Sequence, residues 1–283
     1  MNFAQLRAFH AIAECGSVTR AAERLGVSQP AVTVQLKALE DAHGVELFHR
    51  VNRRLVLSDL GRELLEIARR SFAAIDEART LLAESGGLDR GTLTVGADGP
   101  YHVIAHLAAF RERFPKIAVT LLIGNSDDML ESLLAFRTDV AVLARHVDDS
   151  RLTFRHVARH RLVVFVPRDH PWGRRRALKL ADLDGVDMIL REEGSTTRRV
   201  FAAALAERGI EPRVVMEIES REAVREAVAA GLGVGVVNEA EFGHDARLVA
   251  LPLRDGAITT DEYVACRADR SERRLVRAFL DMV

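Results

Sequence analysis

The stretch TRAAERLGVSQPAVTVQLKALE, Thr19 to Glu40, is helix-forming almost throughout, yet it carries Gly26 and then Pro30. Helix interiors disfavour both residues, glycine by about 1 kcal/mol and proline by about 3. The chain is therefore expected to close one short helix and open another across a turn of about three residues. Ser17 is a good N-cap for a helix from Val18 to Leu25, and Gly26 best adopts the left-handed conformation that ends it. Ser28 caps the next helix, and Pro30 falls in its first turn, where a missing N–H is no loss. Val27 is expected to enter the core of the turn. Phe3, Leu6, Phe9 and Ala13 recur at helical spacing, so an amphipathic helix precedes this pair and stops at Cys15-Gly16.

Two helices so spaced form a helix-turn-helix, whose second helix offers its first residues to base edges in the major groove. Val32, Leu36 and Leu39 make its buried stripe, leaving Gln29, Thr33, Gln35 and Lys37 on other faces. Gln29 is long and bifunctional enough to pair with adenine. Thr33 suits a thymine methyl or a phosphate, and Lys37 a phosphate. Ser17, Thr19, Arg20, Ser28 and Pro30 belong to the same candidate surface. The spacing alone also fits a helical hairpin in a bundle. The neighbouring segment favours nucleic acid: VNRRLVL gives two β-prone runs around Asn52-Arg53-Arg54, a basic hairpin or wing that with Arg50 would flank a groove. Those arginines also read as solubilising charge. The formal net charge of -1 argues by itself against a nucleic-acid partner. Charge acts over only about 8 Å in the cell, however, so a local patch suffices.

Ser58 then caps a helix, SDLGRELLEIARRSFAAIDEARTLLAES, of about 28 residues or roughly 42 Å. Leu65, Ala68, Phe72, Ile75 and Leu82 form a narrow apolar seam interrupted by Arg79, so self-association is expected; a dimer sets two recognition helices about one DNA turn apart. The first residues lack the apolar core of a signal peptide, and no run approaches the roughly 18 residues of a membrane span. A cytoplasmic protein is expected. Cys15 and Cys266 lie at opposite ends of the chain and read as reduced thiols.

SVTRAAERLGVSQPAVTVQLKALEDAHGVELFHR, an arginine-bearing wing and a Ser-Asp-Leu-Gly helix start together resemble the LysR-type transcriptional regulators over the full chain length. The position after Thr33, often arginine in that family, is Val34 here. The resemblance implies a homotetramer built as a dimer of dimers, whereas the seam implies only a homodimer. Residues 1–58 would be the winged helix-turn-helix, 59–90 the linker helix and hinge, and 91–283 the effector domain.

From Gly91 onward the pattern changes to β-branched runs alternating with helical stretches: LTVGA, AVTLLI, DVAVLA, LVVFVP, DMIL, VVMEI and GVGVV, with helices at Tyr101 to Phe114, Asp127 to Ala135, Thr197 to Arg208 and Arg221 to Ala230. That alternation predicts a parallel α/β sheet in 283 residues, long enough for two or three domains. Such sheets bind ligands where strand ends meet helix starts. Three junctions qualify: Ala97-Asp98-Gly99-Pro100-Tyr101-His102, Gly124-Asn125-Ser126-Asp127, and Arg191-Glu192-Glu193-Gly194-Ser195-Thr196-Thr197-Arg198. The third offers hydroxyls, unpaired N–H groups and a guanidinium fork, a setting for an oxyanion, although Ser195 or Thr196 also reads as an ordinary cap. Asp98 would hold an ammonium group or merely cap a helix; with both features the ligand is a zwitterion. Ser220-Arg221 starts another helix and adds a further contact. The resemblance implies an α/β, two-lobed, periplasmic-binding-protein-like effector domain, with lobe one at 91–165 and 267–283 and lobe two at 166–266. GADGPYHV, IGNSDD, LREEGSTTRRVF, ESREAVREAVAAGLGVGVV and EAEFGHD look most like members associated with 2-aminoethylphosphonate catabolism.

Gly231-Leu232-Gly233-Val234-Gly235 follows a helix instead of a strand, so it reads as a tight turn and not a dinucleotide loop. His102 and His106 share a helix face but lack a third ligand, and Gly194-Ser195-Thr196 is no nucleophile turn. No metal, cofactor or catalysis is expected. The reading is a DNA-binding regulator that takes double-stranded DNA and a small effector; a ligand-binding protein with a protein-docking front end, and a hydrolase using Ser195, are the competing readings.

Overall fold

Caps set the limits of the amino-terminal helices. In α1 (Phe3–Cys15) Asn2 and Gln5 form a reciprocal capping box. Ser17 caps α2 (Val18–Leu25), and Gly26 closes it at φ 67°. Ser28 caps α3 (Gln29–His43), with Pro30 in the first turn. Left-handed backbone costs a residue with a Cβ roughly 1–2 kcal/mol, which is why glycine stands at Gly26. Val27 departs from expectation and is 48% exposed. Its N–H turns back to Ala22 O at 3.1 Å, and the side chain borders a shallow surface groove beside Phe3 and Ala31. Val32 takes the core position instead.

The computed structural model describes residues 1–51, 54–84 and 91–283. They divide into two units, Met1–Ser85 and Gly86–Val283. Phe9, Ile12, Ala21, Ala22, Val32, Leu36 and Leu39 fill the first core. β1 (Phe48–Val51) and β2 (Arg54–Leu57) pair antiparallel, Phe48 opposite Leu57. Asn52 and Arg53, at the tip expected to be a wing, lie outside the described residues, as do Gly86 to Arg90 of the expected hinge. α4 (Asp59–Glu84) starts at Ser58, whose hydroxyl accepts from Gly61 N at 2.9 Å and donates to Glu46 O at 2.8 Å. Leu65 and Ala68 are buried in the first core with Phe72 packed against it, and Arg69 bonds Glu14 at 2.8 Å. The first half of the apolar seam is therefore used inside its own unit. Leu82 farther along is 76% exposed.

The second unit begins with β3 (Gly91–Ala97), α5 (Ile104–Arg113), β4 (Ile117–Ile123), α6 (Ser126–Leu134), β5 (Val140–Leu143) and a 16-residue strand β6 (Leu152–Pro167). It continues through β7 (Asp187–Leu190), α7 (Thr196–Ala206), β8 (Arg213–Glu217), α8 (Arg221–Ala229), β9 (Val234–Asn238), α9 (Glu239–Phe242), β10 (Leu248–Pro252), β11 (Thr259–Arg267) and α10 (Arg274–Leu280). Helix α5 starts later than expected because Pro100 to Val103 form a turn, Ile104 N bonding Pro100 O at 3.1 Å. The strand order is β4-β3-β5-β11-β6-β9-β7-β8, with β10 on β6. β3 pairs parallel with β4 and β5, and β7 with β8 and β9, but β6, β10 and β11 pair antiparallel. The sheet is mixed, not parallel throughout.

Two cores lie along it. Leu93, Val95, Phe110, Val264, Cys266 and Phe279 define the first lobe; Leu162, Val164, Val166, Met188, Phe201 and Val234 define the second. The chain crosses between them near residues 161–162 and 258–259. Residues 259–266 thus belong to the first lobe and not the second, because Tyr263 to Cys266 pair with Leu143 to Val140.

Phe279 brings the last helix back to the first lobe, fully buried and edge-on to Phe110. Phe279→Ala is expected to destabilise this unit by about 3–5 kcal/mol. Urea unfolding of the full chain checks it; a loss below about 1 kcal/mol would mean that α10 contributes little.

Candidate nucleic-acid interface and ligand cleft

On α3, Gln29, Thr33 and Lys37 stand four residues apart and exposed, forming one stripe. Thr33 Oγ1 donates to Gln29 O at 3.0 Å, and Thr19 Oγ1 donates to Gln29 Oε1 at 3.4 Å across the turn. Arg20, Ser28 and Pro30 are also exposed, while Ser17 is half-buried as the cap of α2. Gln35 lies elsewhere, half-buried in the groove with Phe3 and Val27. Val34 is 61% exposed. The side chains of Arg50, Arg53 and Arg54 lie outside the described residues. The stripe borders a groove of about 670 Å³ that reaches Phe48 and Leu55 of the hairpin.

In the second unit a cleft of about 490 Å³ is lined by Asp98, Pro100, Asn125, Asp128, Arg191, Glu192, Glu219, Ser220, Arg221 and Glu222 with Ile123 and Gly124. Beneath it a narrow space of about 10 Å³ is lined by Ser126, Ser195, Thr196 and Thr197, by Asp98, Asn125, Arg191 and Arg221, and by Ala144, Asn238 and Glu241. Three helix starts converge here. Asn125 caps α6, Ser195 caps α7 and Ser220 caps α8, so their first N–H groups and positive dipole ends face the same space. Contacts cross the cleft directly. Thr196 Oγ1 donates to Ser126 Oγ at 3.0 Å, and Arg221 Nη1 donates to Asp98 O at 2.5 Å.

Asp98 is 3% exposed; its Oδ2 accepts from Ser126 Oγ at 2.5 Å and Ala144 N at 2.7 Å, while Oδ1 is buried without a hydrogen-bond partner. Burial pushes its carboxyl above the usual range, against the opposing pull of Ser126 and Arg221. Gly99 lies against Arg221 and Glu241, where a Cβ would come within 2.9 Å of both side chains. Arg198 lines neither space: Nη1 donates to Arg191 O at 2.7 Å and to Glu217 Oε2 at 2.5 Å, on the outer side of α7. Tyr101 is 42% exposed and also lines neither. His102 is buried below the cleft, 3.4 Å from Glu241. Arg191 opens the third junction read from the sequence and directly follows β7, the position such sheets use for ligands. Asn238, the last residue of β9, and Glu241 of α9 form a fourth strand-to-helix junction of the same kind.

A capped recognition helix beside a β-hairpin, joined in one chain to a two-lobed α/β cleft, defines a ligand-responsive DNA-binding regulator. Residues 3–62 match the family model "Bacterial regulatory helix-turn-helix protein, lysR family", and residues 86–283 match "LysR substrate binding domain". The chain belongs to the LysR family of DNA-binding transcriptional regulators. It is a regulator, not an enzyme, with double-stranded DNA and a small-molecule effector as partners. It is 36% identical to the HTH-type transcriptional regulator CbbR of Xanthobacter flavus over 97% of this chain and 84% of that protein. It is 35% identical to the RuBisCO operon transcriptional regulator of Allochromatium vinosum over 84% of this chain and 80% of that one. Full-length CbnR complexed with target DNA superposes with a TM-score of 0.71 at 28% identity, covering 100% of this chain and 99% of that one. The CcmR regulatory domain of Synechocystis PCC6803 in complex with 2-PG superposes with a TM-score of 0.63 at 25% identity, covering 68% and 95%. No described helix is long and apolar enough to cross a membrane.

At Gly194 a Cβ would fall 2.6 Å from Asn125 Nδ2. Gly194→Ala is expected to push the two lobes apart there and break the Ser126–Thr196 bond. Hydrogen exchange should quicken at the starts of α6 and α7 while α10 stays protected; unchanged exchange at both starts would count against a closed contact.

Proposed function

We propose that this protein is a cytoplasmic, homodimeric regulator controlled by a small anionic or zwitterionic effector, acting on an operon of the RuBisCO type. The observation that carries the effector reading is the convergence of the α6, α7 and α8 starts, with Arg191 and Arg221, on one cleft. An oxyanion gains from those dipole ends and charge-assisted hydrogen bonds. Asp128, Glu192, Glu219 and Glu222 around the mouth favour a ligand that also carries an ammonium or hydroxyl group. The 2-PG complex of CcmR and the name of the Allochromatium relative support this reading, whereas none of these relatives carries a phosphonate designation. 2-Aminoethylphosphonate therefore stands as one candidate among carboxylates and phosphorylated or phosphonate anions.

Effector binding that favours one lobe arrangement shifts the packing between subunits, moves paired α3 helices and changes the bend of the DNA. Calorimetry with 2-PG, 2-aminoethylphosphonate, methylphosphonate and acetate tests the cleft. At least one anion is expected to bind, and Thr197→Val to weaken it about tenfold, the loss of one charge-assisted bond. Binding by none of the four, or unaffected by the substitution, would remove the anion assignment.

For DNA, Gln29→Ala should lose about 1–3 kcal/mol of discrimination at one base position, while Lys37→Ala weakens all duplexes alike and lowers the salt slope by about 1. Fluorescence anisotropy across operator variants and salt distinguishes these outcomes. If neither substitution changes affinity, the stripe is not the contact surface.

A further inference from the structure

Below the cleft, where the two lobes join, side chains from four parts of the fold meet. His102 comes from the turn after β3, His160 from β6, Glu262 from β11 and Glu241 from α9. One ring nitrogen from each histidine and one carboxylate oxygen of Glu262 lie within 4.8 Å of one another. His102 Nε2 is 3.4 Å from both Glu262 Oε2 and Glu241 Oε1. The two imidazoles stack at 4.9 Å between centroids and 34° between planes.

Glu241 and Glu262 are buried, His102 and His160 half-buried, and the cluster is under-satisfied. The side chains of His102, Glu241 and Glu262 are 8%, 4% and 2% exposed. His102 Nε2, His160 Nε2 and Glu262 Oε1 are buried without a hydrogen bond, which is rare for buried polar atoms. Carboxyl groups crowd it too. Asp98, Glu241 and Glu262 bring three carboxyls, and the nearby guanidinium, Arg221, is engaged by Glu241 at 2.8 Å and by Asp98 O. Two imidazoles and a carboxylate converging from a turn and two strands form a donor set suited to a borderline-soft divalent cation with four-coordinate preference.

We propose that His102, His160 and Glu262 bind one zinc-class divalent ion at this lobe junction, with Glu241 or water as the fourth ligand. Tetrahedral zinc places its ligand atoms roughly 3.4 Å apart, so side-chain rotations of order an ångström bring the present cluster to that geometry. The sequence pairing of His102 with His106 does not reveal the site because the other ligands, His160 and Glu262, lie on strands joined only in the fold. The ion cross-links a first-lobe turn to both connecting strands and neighbours Glu241 of the second lobe. This proposal is independent of the effector reading.

The test uses full-length protein stripped with EDTA and dialysed. Calorimetry and thermal melting with zinc chloride are expected to show one tight equivalent per chain and a raised melting temperature. Cobalt(II) should give the visible ligand-field bands of a four-coordinate site. His160→Gln and Glu262→Gln should each weaken tight binding by more than about 100-fold, beyond the loss typical of removing a supporting partner. His156→Gln, on the exposed face of β6 and bonded to Asp261 at 2.9 Å, should leave it unchanged. Tight zinc binding untouched by both ligand substitutions, or no tight binding and no cobalt bands in the wild-type chain, would overturn the assignment. The cobalt spectrum decides it even if a variant folds poorly, and intact DNA binding by the stripped protein would leave the regulator reading standing.

Discussion

Strand β6 runs through both lobes of the sheet, and the second unit depends on it. Residues 152–161 pair with β11 in the first lobe, and residues 162–167 pair with β9 and β10 in the second. A continuous hydrogen-bonded strand bends and twists but does not stretch, so the lobes have a hinge of limited freedom in place of a loose tether. β11 lies beside the same segment and doubles the connection. The cleft between α6 on one side and α7 and α8 on the other is therefore held nearly preformed, which limits the ordering cost of a ligand entering it.

The charges at the cleft are arranged in pairs, which sets how strongly they act. Arg191 is clamped bidentately by Glu192 at 2.8 and 2.9 Å, and Arg221 by Glu241. An anion entering the cleft would share these guanidinium groups with acids already in place, which leaves the backbone N–H groups of the three helix starts as its other donors. Burial drives the nearby Glu262 carboxyl up to about 8, reinforced by the charge of Asp98. His102 moves the other way from a simply buried histidine: burial disfavours its cation, but the Glu241 and Glu262 carboxylates outweigh that and raise its pKa. The lobe junction thus holds a coupled set of carboxyls and imidazoles under a cleft read as anion-binding, and Arg221 stands between the two.

The amino-terminal unit is legible in the sequence because its information is local. Ser17, Gly26, Ser28 and Pro30 act within one turn of their own positions, so caps and stops read from sequence fall where the backbone places them. Val27 misleads because hydrophobicity says nothing about the direction a tight turn gives a side chain. In the second unit, DMIL and GVGVV announce buried strands by composition. The first part of β6, LTFRHVARHR, does not, because it is half-exposed and rich in cations, and β11 carries Asp261 and Glu262 in its middle. Arg198 resembles an anion ligand by adjacency to Ser195, yet it sits on the helix face turned to β8 and Glu217. Cleft side chains such as Asn238 become visible only when strand ends are brought together, which is long-range information.

Arg221 joins these layers physically. Its guanidinium bonds Asp98 O from the first lobe and Glu241 from the second, and Glu241 sits 3.4 Å from His102. A ligand can shift the lobe equilibrium only by as much as its affinity differs between the two arrangements. An anion that draws Arg221 toward the cleft weakens its hold on Glu241, and that change is felt at the histidine cluster only when the lobes are close enough for the three groups to touch. A lobe arrangement that parted Arg221 from Asp98 would lose this interaction, which is the differential contact that linkage requires. Whatever binds in the cleft and whatever satisfies the junction below it must, by the reciprocity of coupled equilibria, influence each other's affinity equally.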